Sequence, residues 1–174
     1  MALILSITLA IPIRSYSVSE TSKSSFQSYQ DERHGIMLQF PLEWKKFEDS
    51  RGSWFRNSNE SVNVRLEAFP YVGDLDQLAK KYENQTAQQF PGRIGLQSSE
   101  AKVGINYTAR QFVFDYQEVP YDKSLKSKMK ELQLYTIQNH TAFVLTYFTT
   151  ANEYEYYLPI VQEIVNSVRL NQSS

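Results

Sequence analysis

The stretch that decides the fold is SYQDERHGIMLQFPLEWKKFED, Ser28 to Asp49. A charged approach runs as far as Gly35 and gives way to an alternating segment that puts Ile36, Leu38 and Phe40 on one face of a strand. Pro41 has no N–H to donate and ends that ladder, and Trp44 restarts a second strand three residues on. This is a hairpin-like opening of a domain rich in β-structure.

Outward from this opening the chain alternates strands with two helices. Gly52 to Ser58 and Ser61 to Phe69 predict a hairpin across the polar turn Asn57 to Glu60, with Val62, Val64, Leu66 and Ala68 sharing a face. Asp74 has the chemistry of a helix N-cap. From Leu75 the apolar positions Leu75, Leu78, Ala79, Tyr82 and Phe90 keep helical spacing until Pro91-Gly92 stops the helix, so one apolar stripe must lie on a sheet. Arg93 to Val103 and Tyr107 to Tyr116 read as strands joined by Gly104-Ile105-Asn106. Glu131 to Gln138 and Thr141 to Thr150 form another hairpin across Asn139-His140, where Asn tolerates the left-handed backbone of a tight turn.

Thr141 to Thr150, TAFVLTYFTT, is apolar on both faces, which requires a central strand covered on both sides. A final helix from about Asn152 to Val168 offers Tyr157, Ile160, Val161, Ile164, Val165 and Val168 as one cover, and the Leu75 helix offers the other. The expected class is α+β, an antiparallel sheet of about six strands sandwiched between helices.

The order of Tyr29, acidic Asp31-Glu32, Gly35, apolar strand, Pro41 and Trp44 resembles the entry of the PsbP family. The likeness extends through Val103-Gly104 before Tyr107, the hairpin of Tyr135 to Thr150, the last amphipathic helix and the stub Ser167-Val168-Arg169-Leu170. It covers about Ser28 to Leu170 and departs from the family pattern at Ile105 and His140, where glycines are usual. The resemblance implies an accessory role without catalysis. Photosynthetic members sit on the lumenal side of photosystem II and help retain calcium and chloride, so a calcium or manganese ion is what the family would bring here. The scaffold is also similar to that of Ran-binding Mog-type proteins, and fold does not fix function.

At 174 residues, 41% hydrophobic and 21% charged, the chain suits one core. A net charge of −1 gives no field to recruit nucleic acid, and no nucleic-acid partner is expected. The absence of cysteine excludes disulfides, thiolate zinc sites, cysteine nucleophiles and an acylated lipoprotein cysteine. The apolar run Met1 to Ile13 is too short to span a bilayer and reads as the core of a signal peptide, residues 1–17, cut after Ser17, with a buried first strand of the domain as the alternative. A Ser-rich tether, 18–27, then leads to a single domain, 28–170, and a disordered tail, 171–174. Five Asn-x-Ser/Thr triplets, at Asn59, Asn84, Asn106, Asn139 and Asn171, support an exported, glycosylated chain and suit an archaeal cell-envelope protein.

Candidate chemistry is sparse. No G-x-S-x-G, H-E-x-x-H, G-x-x-x-x-G-K or G-x-G-x-x-G motif occurs, and no catalytic residue is assigned. Asp31, Glu32 and His34 are the one cluster with metal-ligand chemistry, and a solvated charged turn is the alternative. Lys126, Lys128 and Lys130 share a strand face and serve either to dock an anionic partner or to protect a sheet edge. Tyr154 and Tyr156 are partner-contact candidates, whereas Tyr157 fits the core stripe. The reading is an extracytoplasmic monomer that binds an envelope or membrane-associated protein. The alternative is a hydrolase-like enzyme on the same fold, which a cleft gathering His34 with several carboxylates would favour.

Overall fold

The computed structural model describes residues 25–50, 52–89, 93–117 and 128–170. The leader, most of the tether, the helix stop at Phe90 to Gly92, Lys126, and the tail with Asn171 lie outside the described residues. Along the chain come β1 (Phe26–Asp31), β2 (Ile36–Pro41), β3 (Lys45–Asp49), β4 (Gly52–Arg56), β5 (Asn63–Pro70) and α1 (Leu75–Gln89). There follow β6 (Arg93–Val103), β7 (Tyr107–Gln117), β8 (Lys128–Gln138), β9 (Thr141–Thr150), α2 (Ala151–Ser167) and β10 (Arg169–Leu170).

The α+β class stands, with one difference in the sheet. Seven strands form a mixed-length antiparallel sheet in the order β3-β4-β5-β9-β8-β7-β6, and β1, β2 and β10 form a separate three-stranded sheet in the order β1-β2-β10. The opening strand therefore does not extend the main sheet. Its apolar face, Ile36, Leu38 and Phe40, is fully buried against the same core that α2 covers. The tether also ends earlier than expected. Phe26 and Gln27 pair with Pro41 and Phe40, and Phe26 packs on the core, so burial of one aromatic overrides the Ser-rich composition around it.

β9 is the fourth of the seven strands, as its two apolar faces require. Phe143, Leu145 and Tyr147 face a core closed by β2, β4, β5 and α2, and Ala142 and Val144 face a smaller core closed by α1 through Leu78 and Ala79. Trp44 and Phe143 are buried. Asp74 caps α1 by accepting from the Gln77 N–H at 2.8 Å. The β8–β9 turn places Asn139 and His140 at φ 49° and 59°, a two-residue loop with both residues left-handed, whose twist matches the flanking strands. Gly104 turns at φ 59°, and a Cβ there would meet the Val168 carbonyl oxygen at 2.4 Å, so the β6–β7 turn can lie against the end of α2 only with glycine. Its N–H donates to the Val165 carbonyl at 2.9 Å.

Candidate functional site

Two acidic turns meet beside the junction of the two sheets. Gly35, at φ 64°, lets the β1–β2 turn close, and Asp31 accepts from the His34 backbone N–H at 3.1 Å through Oδ1. Its Oδ2 lies 2.7 Å from His34 Nδ1. At the β3–β4 turn Asp49 accepts from the Gly52 N–H at 3.1 Å and from Trp54 Nε1 at 2.9 Å. Between the turns lies a cleft of about 360 Å³, walled by Asp31, Glu32, His34, Glu48 and Asp49 and floored by Ser53, Leu66 and Ala68.

Several polar groups of this cleft are engaged by neighbours. Glu48 accepts from Lys46 Nζ at 2.8 Å, and Lys46 lies 5.0 Å from the centroid of the Tyr29 ring. Tyr29 Oη and Ser53 Oγ share a buried hydrogen bond of 2.7 Å. Burial pushes the Asp31 carboxyl upward, but the hydrogen bonds and charge of His34 outweigh it and hold the group below its ordinary value. Burial raises the Tyr29 phenol, only partly offset by the Ser53 hydrogen bond.

The structure brings Asp31 and His34 together and leaves Glu32 exposed on the rim. Among the described residues no group of three or more His, Asp or Glu side chains converges as a metal site. Both Asp31 oxygens face His34, so the donor set of Asp31, Glu32 and His34 does not fit a calcium or manganese ion.

The other candidates sort by burial. Asn59, Asn106 and Asn139 sit at the β4–β5, β6–β7 and β8–β9 turns and Asn84 on α1, all exposed. Lys128 and Lys130 are on β8, which lies between β7 and β9, so they protect no edge. Lys130 donates to Glu155 at 3.2 Å and stands 4.3 Å from the centroid of the Tyr154 ring. Tyr154 is not a contact residue. It is 3% exposed, because helix periodicity puts it on the buried side of α2 against Tyr147. Tyr156 points outward at 71% exposure, and Tyr157 packs on Trp44.

Sequence reasoning missed Glu48, Asp49, Tyr29 and Ser53. The available signal was that both acidic pairs, Asp31-Glu32 and Glu48-Asp49, fall where a strand passes into a turn.

The architecture is a PsbP-like fold. The chain is similar to cyanobacterial PsbP (CyanoP) from Synechocystis at 12% identity and a TM-score of 0.61, with 89% of this chain and 98% of that one covered. LpqN, involved in cell envelope biogenesis of Mycobacterium tuberculosis, matches at 13% identity and a TM-score of 0.60 over 86% and 92% of the two chains. The Ran-binding protein Mog1p of Saccharomyces cerevisiae matches at 10% identity and a TM-score of 0.57 over 84% and 96%. At these identities the likeness is one of fold. No protein-family model matches the chain, and no curated protein does.

Proposed function

We propose that this chain is an exported, non-catalytic binding module of the cell envelope, and that an envelope or membrane-associated protein engages it at the cleft between the two acidic turns. The observation that carries this reading is the mutual pairing inside the cleft. Ser53 Oγ bonds to Tyr29 and His34 Nδ1 faces Asp31, so the cleft presents polar groups held in place by their neighbours, a fixed pattern of charge and shape that a partner could read. Support for the compartment comes from the apolar leader, the five sequons and the envelope role in the name of LpqN, and support for a protein partner from the Ran-binding role in the name of Mog1p. No helix among the described residues is long and apolar enough to cross a membrane.

Two experiments test this. The mature protein and its Glu32→Lys variant serve as baits against envelope fractions. A protein retained by the first and lost with the second supports the cleft, and equal retention removes it. N-terminal sequencing of the native protein should begin near Val18, and intact Met1 in a cytoplasmic fraction would end the export reading.

A second reading, catalysis, is favoured by the gathering of His34 with Asp31, Glu48 and Asp49 in one cleft. Ester and phosphate-ester hydrolysis that His34→Ala abolishes would support it, and turnover unaffected by that substitution would not.

A further inference from the structure

Among the described residues β3 is an edge strand of the seven-stranded sheet, paired only with β4, and all five of its residues are exposed. Their sequence is Lys45-Lys46-Phe47-Glu48-Asp49, with two cations before the central aromatic and two anions after it. We propose that β3 pairs antiparallel with β3 of a second copy of this chain, about a two-fold axis through Phe47. In that register Lys45 stands opposite Asp49, Lys46 opposite Glu48 and Phe47 opposite Phe47 of the other copy.

The charge order selects this register. Only alternate residues of an edge turn their N–H and C=O outward, so an antiparallel pairing shifts in steps of two. One step either way puts Lys46 against Lys46 of the second copy, or Glu48 against Glu48, and like charges directly opposite are destabilising. Lysines on an edge ordinarily repel an incoming strand. Here the acidic half cancels that protection for one partner, another β3 running the opposite way. Lys46 and Glu48 have the reach for the exchange. They share a face, contact each other at 2.8 Å within the strand, and keep 40% and 57% of their side chains exposed. Phe47 is an exposed large apolar side chain, and the dyad gives it an aromatic neighbour. Five residues make a small interface, so the association is weak, concentration-dependent and sensitive to salt.

Sedimentation velocity on the purified protein, from about 1 μM to about 1 mM, tests the proposal. The wild type should shift toward dimer with concentration, and less so in about 1 M salt, where the screening length is about 3 Å. Lys46→Glu and Glu48→Lys each set like charges across the dyad and should each weaken association at least about tenfold. Mixed in equal amounts, the two variants are complementary at every position and should form a heterodimer of roughly wild-type affinity. Both changes are at exposed positions, and circular dichroism checks that each variant is folded. A wild type that stays monomeric throughout, variants that associate like the wild type, or a mixture that fails to associate would each overturn the pairing.

Discussion

Tyr147 of β9 lies on Tyr154 of α2, with ring centroids 5.0 Å apart and planes 25° from parallel, and its hydroxyl donates to the Tyr154 carbonyl at 2.9 Å. Burial, with the Tyr154 and Glu153 neighbourhood adding to it, raises the Tyr147 phenol above its ordinary value; burial likewise pushes Tyr154 up to about 12. Both rings therefore stay neutral across the physiological range. The pair fastens the central strand to the helix that covers it.

Truncating that fastening should be costly. Tyr147→Ala is expected to lose about 3–5 kcal/mol of unfolding free energy, as for other large buried aromatics. Tyr147→Phe keeps the ring and removes the hydroxyl, so it should lose only about 0.5–1.5 kcal/mol. Urea denaturation of the two variants separates packing from hydrogen bonding.

Phe143 tests the position of β9. It faces the larger core from the middle of the sheet, and Phe143→Ala should cost about 3–5 kcal/mol. A loss below about 1 kcal/mol would be the behaviour of a peripheral strand.

Gly104 tests the turn. Alanine would have to hold a left-handed backbone, a strain of about 1–3 kcal/mol, and its Cβ would also press on the Val168 carbonyl oxygen. Thermal unfolding of Gly104→Ala should show a lower midpoint than that of a substitution at exposed Ile105 next to it.

Asp31 sets a pH dependence. Its carboxyl is held below the ordinary value in the folded state, so the unfolded chain takes up a proton first as pH falls. The stabilisation is fully present above the ordinary carboxylate range and is lost as pH drops through the lowered folded value. Asp31→Asn should flatten that acid limb of the urea midpoint against pH and leave its neutral-pH slope unchanged.

Much of the fold is legible in local pattern. The two-faced apolarity of Thr141 to Thr150 fixes a central strand, Asp74 and the Leu75, Leu78, Ala79, Tyr82 stripe fix α1, and Asn139-His140 fixes a tight turn. What local pattern does not carry is which strands share a sheet. β2 carries a clean alternating pattern, but its partner on one side is β10, two residues from the far end of the domain. The cleft was half legible for the same reason. Asp31 and His34 are neighbours in sequence, whereas Glu48, Asp49 and Ser53 join them only once two sheets have packed. Tyr154 was misplaced because three tyrosines in four residues offer both an outward and an inward reading, and Tyr147 decides between them.

The closure of β2 by the end of the chain bears on the order of events during synthesis. Ser167 Oγ accepts from the Gln39 N–H across 128 residues, and Tyr107 Oη donates to the Leu170 carbonyl and accepts from the Leu170 N–H. Until the last turn of α2 and β10 have left the ribosome, the β1–β2 hairpin lacks a strand on one side and the larger core lacks its lid. The domain consequently stays incomplete until β10 has been made, and because most of its contacts join residues distant in sequence its final folding step should be slow.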